Sequence, residues 1–348
     1  MHLHANLPAS RVQPSHEAPV IRWGVMGSGW IAEKFIESVR AHTPQNIAAV
    51  GSRSLSSAQA FASRMGIAKV HGSYEDLVAD PDLDVIYVAT PHNFHHASVT
   101  LALNAGKHVF VEKPMALNKA QAAELVELAR SKKLFFAEAL WSFFLPKFDV
   151  LRQVLEAGLI GEIKSVYTDY GEYFTRDHRI FDPQLAGGPL LDLGIYPVSL
   201  LTELLGVPAN VVGIGQPDPS GVNGQLSAVL TDARGNQGTV STTLYGITPT
   251  NAVIVGTQGT ITFDGCFNLP GSFEVHSADG TQTLRYEEPS GRHFEGLHYE
   301  AAEVARCIST GLLETPYRTL EASINTMATL DMIRRSIGIN FSAAGLVE

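Results

Sequence analysis

The spacing of apolar residues along the chain changes near residue 140 and divides it into two regions. Ile21–Met26 is a short apolar run followed at once by glycines, and Ile31, Phe35, Ile36 and Val39 then recur at helical spacing. The same alternation continues downstream. Ile47–Val50, Val70, Val85–Ala89, His108–Val111 and Leu134–Ala137 read as strands, and Ser56–Met65, Tyr74–Ala79, His95–Ala105 and Asn118–Ser131 as helices. Serine opens the second helix, as N-cap chemistry favours. Val85–Ala89 is almost continuously apolar, as a parallel strand covered on both faces must be. Strand and helix in alternation from residue 21 to about 140 predict a doubly wound parallel sheet, the Rossmann arrangement.

Beyond residue 140 the pattern differs. Pro146–Ala157 is helical, and strand-like segments then cluster: Ile163–Tyr173, Asn210–Gly215, Gln225–Asp232, Gly238–Tyr245, Asn251–Gly256, Thr260–Phe263, Gly271–Ser277 and Thr281–Arg285. Gly and Asn/Asp turns separate several of them. Glu295–Ser309 and Thr319–Ile337 read as closing helices. Clustered strands of this kind predict an α+β domain with a large, mainly antiparallel sheet. The expected organisation is a disordered tail over residues 1–19, a dinucleotide-binding Rossmann domain over 20–140, and an α+β domain for substrate binding and oligomerisation over 141–348. No internal repeat is visible.

Composition narrows the function without naming it. The 348 residues are 45% hydrophobic and 17% charged, ordinary for a globular chain. A net charge of -10 argues against nucleic acid as a partner, because phosphates are repelled at long range. Cys266 and Cys307 are too few for a disulfide framework and read as free thiols in a reducing compartment. No apolar run reaches membrane-spanning length, and the first 19 residues lack a secretory apolar stretch. No membrane partner and a cytoplasmic location are the default expectations.

The first specific chemistry lies in Gly27-Ser28-Gly29-Trp30-Ile31-Ala32, which fits G-x-G-x-x-A between a strand and a helix. Gly27 permits the tight turn, Gly29 lets a pyrophosphate approach the backbone, and Ala32 lets the helix pack close. The helix N-terminus then offers free N–H groups to an anion. An NAD site usually carries a carboxylate at the end of the second strand to bind the ribose hydroxyls. Here no Asp or Glu occurs between Glu37 and Glu75, and the strand ends in Gly51-Ser52-Arg53-Ser54. Arginine pairs with a 2′-phosphate, and Ser52 and Ser54 can donate to it, so NADP is favoured and NAD is possible.

Val85-Ile86-Tyr87-Val88-Ala89-Thr90-Pro91, His95, Ala105-Gly106-Lys107-His108-Val109 and Glu112-Lys113-Pro114 follow that turn, and Ala186 to Tyr196 reads AGGPLLDLGIY. With these motifs the chain resembles the glucose–fructose oxidoreductase, inositol dehydrogenase and rhizopine-catabolism (Gfo/Idh/MocA) family over about residues 20–340. Glu138-Ala139-Leu140-Trp141, and a tyrosine at 196 where many members carry histidine, resemble the subgroup of dimeric trans-dihydrodiol dehydrogenases and NADP-dependent xylose dehydrogenases. The resemblance implies an NADP(H)-dependent oxidoreductase acting on a CH–OH group of a sugar, polyol or cyclic trans-diol. It makes Lys113 and Tyr196 active-site residues and places Thr90, Pro91, His95 and Glu112 beside the cofactor. It also implies a homo-oligomer, dimer or tetramer, packed through the open face of the second sheet, to which strands such as Gln225–Asp232 could contribute.

Removing a hydride from an alcohol carbon requires a group to take the hydroxyl proton, while the nicotinamide carries the redox chemistry. Tyr196 is the candidate, with Lys113 as the ammonium that would lower its pKa. Asp192 and Tyr196 are four residues apart, so an unbroken helix over Leu190–Leu201 would put both on one face, with Asp192 positioning substrate or lysine. Trp141, Arg176 and Arg179 are expected at the substrate pocket. His92, His95 and His96 have no carboxylate at a matching offset, and no metal is expected. Two other readings use the same fold. A non-catalytic NADP-responsive regulator would not need Lys113 or Tyr196, and a short-chain reductase would need a Tyr-x-x-x-Lys pair that is not present.

Overall fold

The computed structural model describes residues 6–292 and 294–346. Its first sheet holds six parallel strands in the order β3-β2-β1-β4-β5-β6. They are β1 (Arg22–Met26), β2 (Asn46–Gly51), β3 (Lys69–His71), β4 (Val85–Val88), β5 (His108–Glu112) and β6 (Phe136–Ala139). The intervening helices are α1 (Trp30–His42), α2 (Leu55–Met65), α3 (Tyr74–Ala79), α4 (His95–Asn104) and α5 (Lys119–Lys132). Every residue of β4 and β6 is buried, which is why their sequence is apolar without alternation. The strand order reverses between β1 and β4, and ligands of open α/β sheets bind at the carboxyl ends beside such a switch.

α6 (Pro146–Glu156) leads into the second sheet, of eight strands in the order β14-β13-β12-β11-β7-β10-β9-β8. These are β7 (Ile163–Gly171), β8 (Asn210–Pro217), β9 (Asn223–Thr231), β10 (Gln237–Thr243), β11 (Ala252–Gly256), β12 (Gly259–Phe263), β13 (Phe273–Ser277) and β14 (Thr283–Tyr286). All pairings are antiparallel except β7 with β10. Burial alternates along β9 and β10, so one face is covered and the other open. On the open face Tyr167, Thr239, Val229 and Val212 pair in a row across four strands. The tyrosine and both valines are exposed, as is Ile214.

Two short helices, α7 (Pro189–Asp192) and α8 (Ile195–Leu205), precede β8, and α9 (Leu297–Ser309) and α10 (Leu320–Ser336) close the chain. α8 and α10 cover one side of the second sheet, and α10 also meets α5 and β6, fastening the two sheets together. The single helix expected over Leu190–Leu201 is broken at Leu193-Gly194, where Pro183–Asp192 and Ile195–Leu205 meet at 51°. A Cβ at Gly194 would come 2.7 Å from the Leu190 carbonyl oxygen, so this close turn needs glycine. Among the described residues no single helix is long and apolar enough to cross a membrane.

The segment before Val20, expected as a disordered tail, is seated on the body from residue 6 onward, while residues 1–5 lie outside the described residues. Arg11 forms a two-pronged pair with Asp149 of α6 at 2.7 and 3.0 Å, and its own N–H reaches the same carboxylate at 2.6 Å. The Asp149 side chain is fully buried, so the strap neutralises a charge inside the protein. Ser15 Oγ meets His298 Nδ1 at 2.8 Å, and Arg306 donates to the Pro14 carbonyl at 2.7 Å, both on α9. Polar composition made this segment look unstructured, but partners on α6 and α9 order it.

Candidate active site

The β1–α1 turn has the geometry a dinucleotide needs. Gly27 has φ +112°, and a Cβ there would meet the Ala89 carbonyl oxygen at 2.7 Å, so only glycine fits. Gly29 caps α1 without a side-chain hydrogen bond, and a Cβ on it would meet nothing within 4 Å. The first N–H groups of the helix thus face open space, and the residues present suit a pyrophosphate. Ser28 Oγ lies 3.5 Å from Ser52 Oγ at the end of β2. Arg53 is exposed beside them, with its guanidinium 5.4 Å from the Phe94 ring centroid. Ser54 has a local duty, because its Oγ accepts the Ser57 N–H and caps α2.

The carboxyl ends of β4 and β5 open onto a cavity of about 740 Å³. Gly29, Trp30, Ile31, Thr90, Pro91, His95, Glu112, Lys113, Trp141, Arg179, Asp192 and Tyr196 all line it. The first sheet and the second half of the chain thus meet at one place. Arg176 does not line the cavity and corrects the expectation for that residue. Its guanidinium grips Asp218 at 2.6 Å and lies over the rings of Phe181 and Tyr245, balancing a carboxylate with no exposed side-chain surface. Nothing in its sequence context distinguished it from Arg179, three residues on. Arg179 remains at the rim, 3.5 Å from Asp192.

Lys113 and Asp192 form the polar centre. Lys113 Nζ donates to Asp192 Oδ1 at 2.6 Å and to its carbonyl oxygen at 2.7 Å. Burial alone would raise the Asp192 carboxyl, but Lys113 and Arg179 hold it well below the usual range, so it stays an anion. Lys113 also stands over the face of Tyr196, 5.3 Å from the ring centroid. The break between α7 and α8 lets Asp192 reach the lysine while Tyr196 turns to Trp141. The indole N–H of Trp141 donates to the Tyr196 hydroxyl oxygen at 3.0 Å. An indole can only donate, so the tyrosine oxygen accepts and its own hydrogen stays available to the cavity.

The expected lowering of the Tyr196 pKa by Lys113 is not what this site produces. Burial drives the phenol well above its ordinary value, nearby Glu112 adds to the rise, and only the Trp141 hydrogen bond opposes it among the leading influences. The Lys113 ammonium is engaged by Asp192 at 2.6 Å. Glu112 itself is pushed up to about 7 by burial, against the Tyr87 hydroxyl at 2.5 Å and the charge of Lys113. His92 is buried, its Nε2 is 3.2 Å from the Ala186 carbonyl oxygen, and burial lowers it to about 4.

Several cavity residues had no signal in the sequence. Glu172 accepts from the Tyr170 hydroxyl at 2.6 Å, and Phe174 and His178 stack at 4.6 Å along the rim. Phe294 meets Trp30 edge-on at 4.6 Å and closes the apolar wall with Leu297. They lie in loops whose course depends on the second sheet, and no local motif marks them.

A family model described as an oxidoreductase family with an NAD-binding Rossmann fold matches residues 21–139, and a second, described as the GFO/IDH/MocA C-terminal domain, matches residues 148–262. A trans-1,2-dihydrobenzene-1,2-diol dehydrogenase of Bos taurus is 35% identical over 331 residues, covering 92% of this chain and 98% of that one. The enzyme of the same name from Xenopus tropicalis is 31% identical, with 92% and 99% covered. Among solved structures, a 3-ketoreductase from Actinomadura kijaniata in complex with NADP and TDP-benzene superposes with a TM-score of 0.79 at 26% identity, covering 92% and 98%. A levoglucosan dehydrogenase with NADH and levoglucosan shares the fold, with a TM-score of 0.82 at 19% identity and the same coverage.

Proposed function

The chain belongs to the Gfo/Idh/MocA oxidoreductase family, and from that premise we propose that it is an NADP(H)-dependent enzyme interconverting a CH–OH group and a carbonyl in a cyclic trans-diol or sugar. One observation carries this reading. Lys113, Asp192 and Tyr196 converge in the cavity below the glycine turn, with a tyrosine hydrogen directed by Trp141.

A bound nicotinamide dinucleotide supplies the hydride donor or acceptor. Gly27, Gly29 and the α1 N-terminus would hold its pyrophosphate, and Arg53 with Ser28 and Ser52 would receive a 2′-phosphate. Asp192, held as an anion, accepts from Lys113 on its carboxylate and its carbonyl, which uses two of the three N–H donors of an ammonium. The third polarises the reacting oxygen. Tyr196, held protonated by burial, donates its hydrogen to that oxygen as the carbonyl becomes an alcohol. In the opposite direction the same phenol must first lose its proton, which burial resists. The site therefore favours reduction near neutral pH, and oxidation gains rate as pH rises.

The apolar walls of Trp30, Trp141, Phe174 and Phe294 suit a ring with a hydrophobic face, which supports a cyclic diol over an open polyol. The exposed apolar row on the second sheet supports pairing with another copy of the chain.

The test is a panel of trans-1,2-dihydrobenzene-1,2-diol, aldoses and inositols assayed by nicotinamide absorbance with NADP and with NAD. The wild type should turn over a ring diol or sugar with NADP preferred. Tyr196→Phe and Lys113→Met should each lose roughly a hundredfold or more in kcat. Wild-type rates in both variants would overturn the assignment.

A further inference from the structure

Two turns that edge the cavity are fastened together by one side chain. His95 opens α4 and is 1% exposed. Its Nε2 lies 2.9 Å from the Thr90 carbonyl oxygen, just beyond β4, and its Nδ1 lies 2.7 Å from the Pro114 carbonyl oxygen, just beyond Lys113. Both ring nitrogens therefore face protein backbone, and neither remains to turn toward a ligand. The ring still lines the cavity, as a place beside the cofactor requires, but backbone carbonyls take both of its nitrogens. Burial lowers the ring to about 4, and both carbonyl contacts oppose that fall.

The same turn is gripped from its other side. Glu138, in β6, accepts the Met115 N–H on Oε1 at 2.9 Å. Its other oxygen accepts from Ser323 Oγ at 2.7 Å and from Arg318 at 3.0 and 3.2 Å, a buried pair anchored to the C-terminal helices. Glu112 accepts the Lys113 N–H at 3.2 Å. Lys113 is thus flanked by Glu112, Pro114 and Met115, each with a fixed partner, and its side chain spans from there to Asp192. A displacement of about 1 Å in such a group costs on the order of a hundredfold in rate.

We propose that His95, backed by Glu138, is a positioning residue that holds the Lys113-Pro114-Met115 turn where Lys113 can reach Asp192 and the reacting oxygen. This rests on the catalytic reading of Lys113 given above, and the test separates the two. Full-length wild type, His95→Ala, His95→Gln and Lys113→Met are compared by three measurements. These are kcat and KM for trans-1,2-dihydrobenzene-1,2-diol with NADP, NADPH affinity by tryptophan fluorescence, and hydrogen exchange of a peptide covering residues 110–118 in ligand-free protein.

His95→Ala should lower kcat roughly ten- to a hundredfold, keep the NADPH Kd within about threefold, and speed exchange in that peptide. His95→Gln, which retains an N–H for the Pro114 carbonyl, should recover much of the rate. If His95→Ala does not fold, His95→Asn carries the same comparison, being polar but too short to span both carbonyls. Loss of NADPH affinity with kcat unchanged would make His95 a cofactor ligand and overturn the proposal. A dead Lys113→Met beside an unaffected His95→Ala would overturn it while sparing the reading of Lys113. Wild-type rates in Lys113→Met would remove that reading instead, and unchanged exchange in His95→Ala would then overturn the clasp itself.

Discussion

The two sheets solve the same burial problem in opposite ways. The parallel sheet is covered by helices on both faces, so β4 is buried at every residue and reads as Val85-Ile86-Tyr87-Val88. The second sheet is covered on one face only, and β9 alternates along Gln225-Leu226-Ser227-Ala228-Val229 between exposed and buried positions. The exceptions to that alternation are informative. Val229 and Val212 are apolar yet lie on the open face, in register with each other, where a solvated sheet would carry polar side chains. The cavity residues gather where strands end, and the exposed apolar row lies where strands are uncovered.

One substitution on each sheet separates these roles most sharply. Ile86→Lys places a charge between two helical layers and should cost more than about 5 kcal/mol, leaving no folded protein in a thermal or urea melt. Ile214→Lys, on the open face at 79% exposure, should leave the melt of the subunit nearly unchanged and reduce the mass seen by sedimentation equilibrium, with Tyr196 chemistry retained. An unchanged mass would sink the assignment of that face as a contact between copies.

Two buried groups, one at the end of the first sheet and one on α6 against the second, respond to pH in opposite senses. Glu112 ends β5 with its pKa raised by burial from 4.5 to about 7. The native state therefore holds a proton that the unfolded chain releases above 4.5, and stability falls as pH rises through that window, by about 3 kcal/mol in all. Lys147 lies over Phe263 of β12, and burial lowers it from 10.5 to about 7. There the unfolded chain holds the extra proton, and stability rises with pH between 7 and 10.5, by about 4–5 kcal/mol. Urea melts across pH should show Glu112→Gln flattening the lower window and Lys147→Met the upper one. A slope that survives its own substitution would reject that residue as its source.

The smallest expected effect concerns the strap. Arg11→Ala leaves the buried Asp149 carboxylate without its cation and should lower Tm at pH 7. Asp149 is held below its ordinary 3.8 despite burial, because Arg11 bonds it, so its contribution is present above that pH and fades as the carboxyl protonates. The difference between Arg11→Ala and wild type should therefore shrink in acid. A constant difference would mean that the strap acts through packing alone.

Legibility in the sequence followed the range of the interactions. The glycine turn and the alternating Rossmann elements were readable because local spacing dictates them, whereas Lys113 and Tyr196 came from the family resemblance and Asp192 from its four-residue offset to Tyr196. Strand and helix ends moved by one to three residues, as with β6, which begins at Phe136 rather than Leu134. The break at Gly194 had a local signal in Gly194 and Pro197, which the expectation of one helix over Leu190–Leu201 passed over, and the crowding of Gly194 against Leu190 shows why the turn needs glycine. Arg176 and Arg179 were indistinguishable because their partners, Asp218 and Asp192, lie at different distances along the chain. Glu138 was quoted only as part of a motif. Its partners Arg318 and Ser323 are 180 and 185 residues away, beyond any local pattern.

The pair between Lys113 and Asp192 joins positions 79 residues apart, one in each of the two segments that the family models match. An exchange of either segment must therefore preserve this pair. A recombinant keeps a correctly directed lysine only when both halves bring complementary charges to this seam. Rim residues such as Phe174, His178 and Phe294 carry no such obligation.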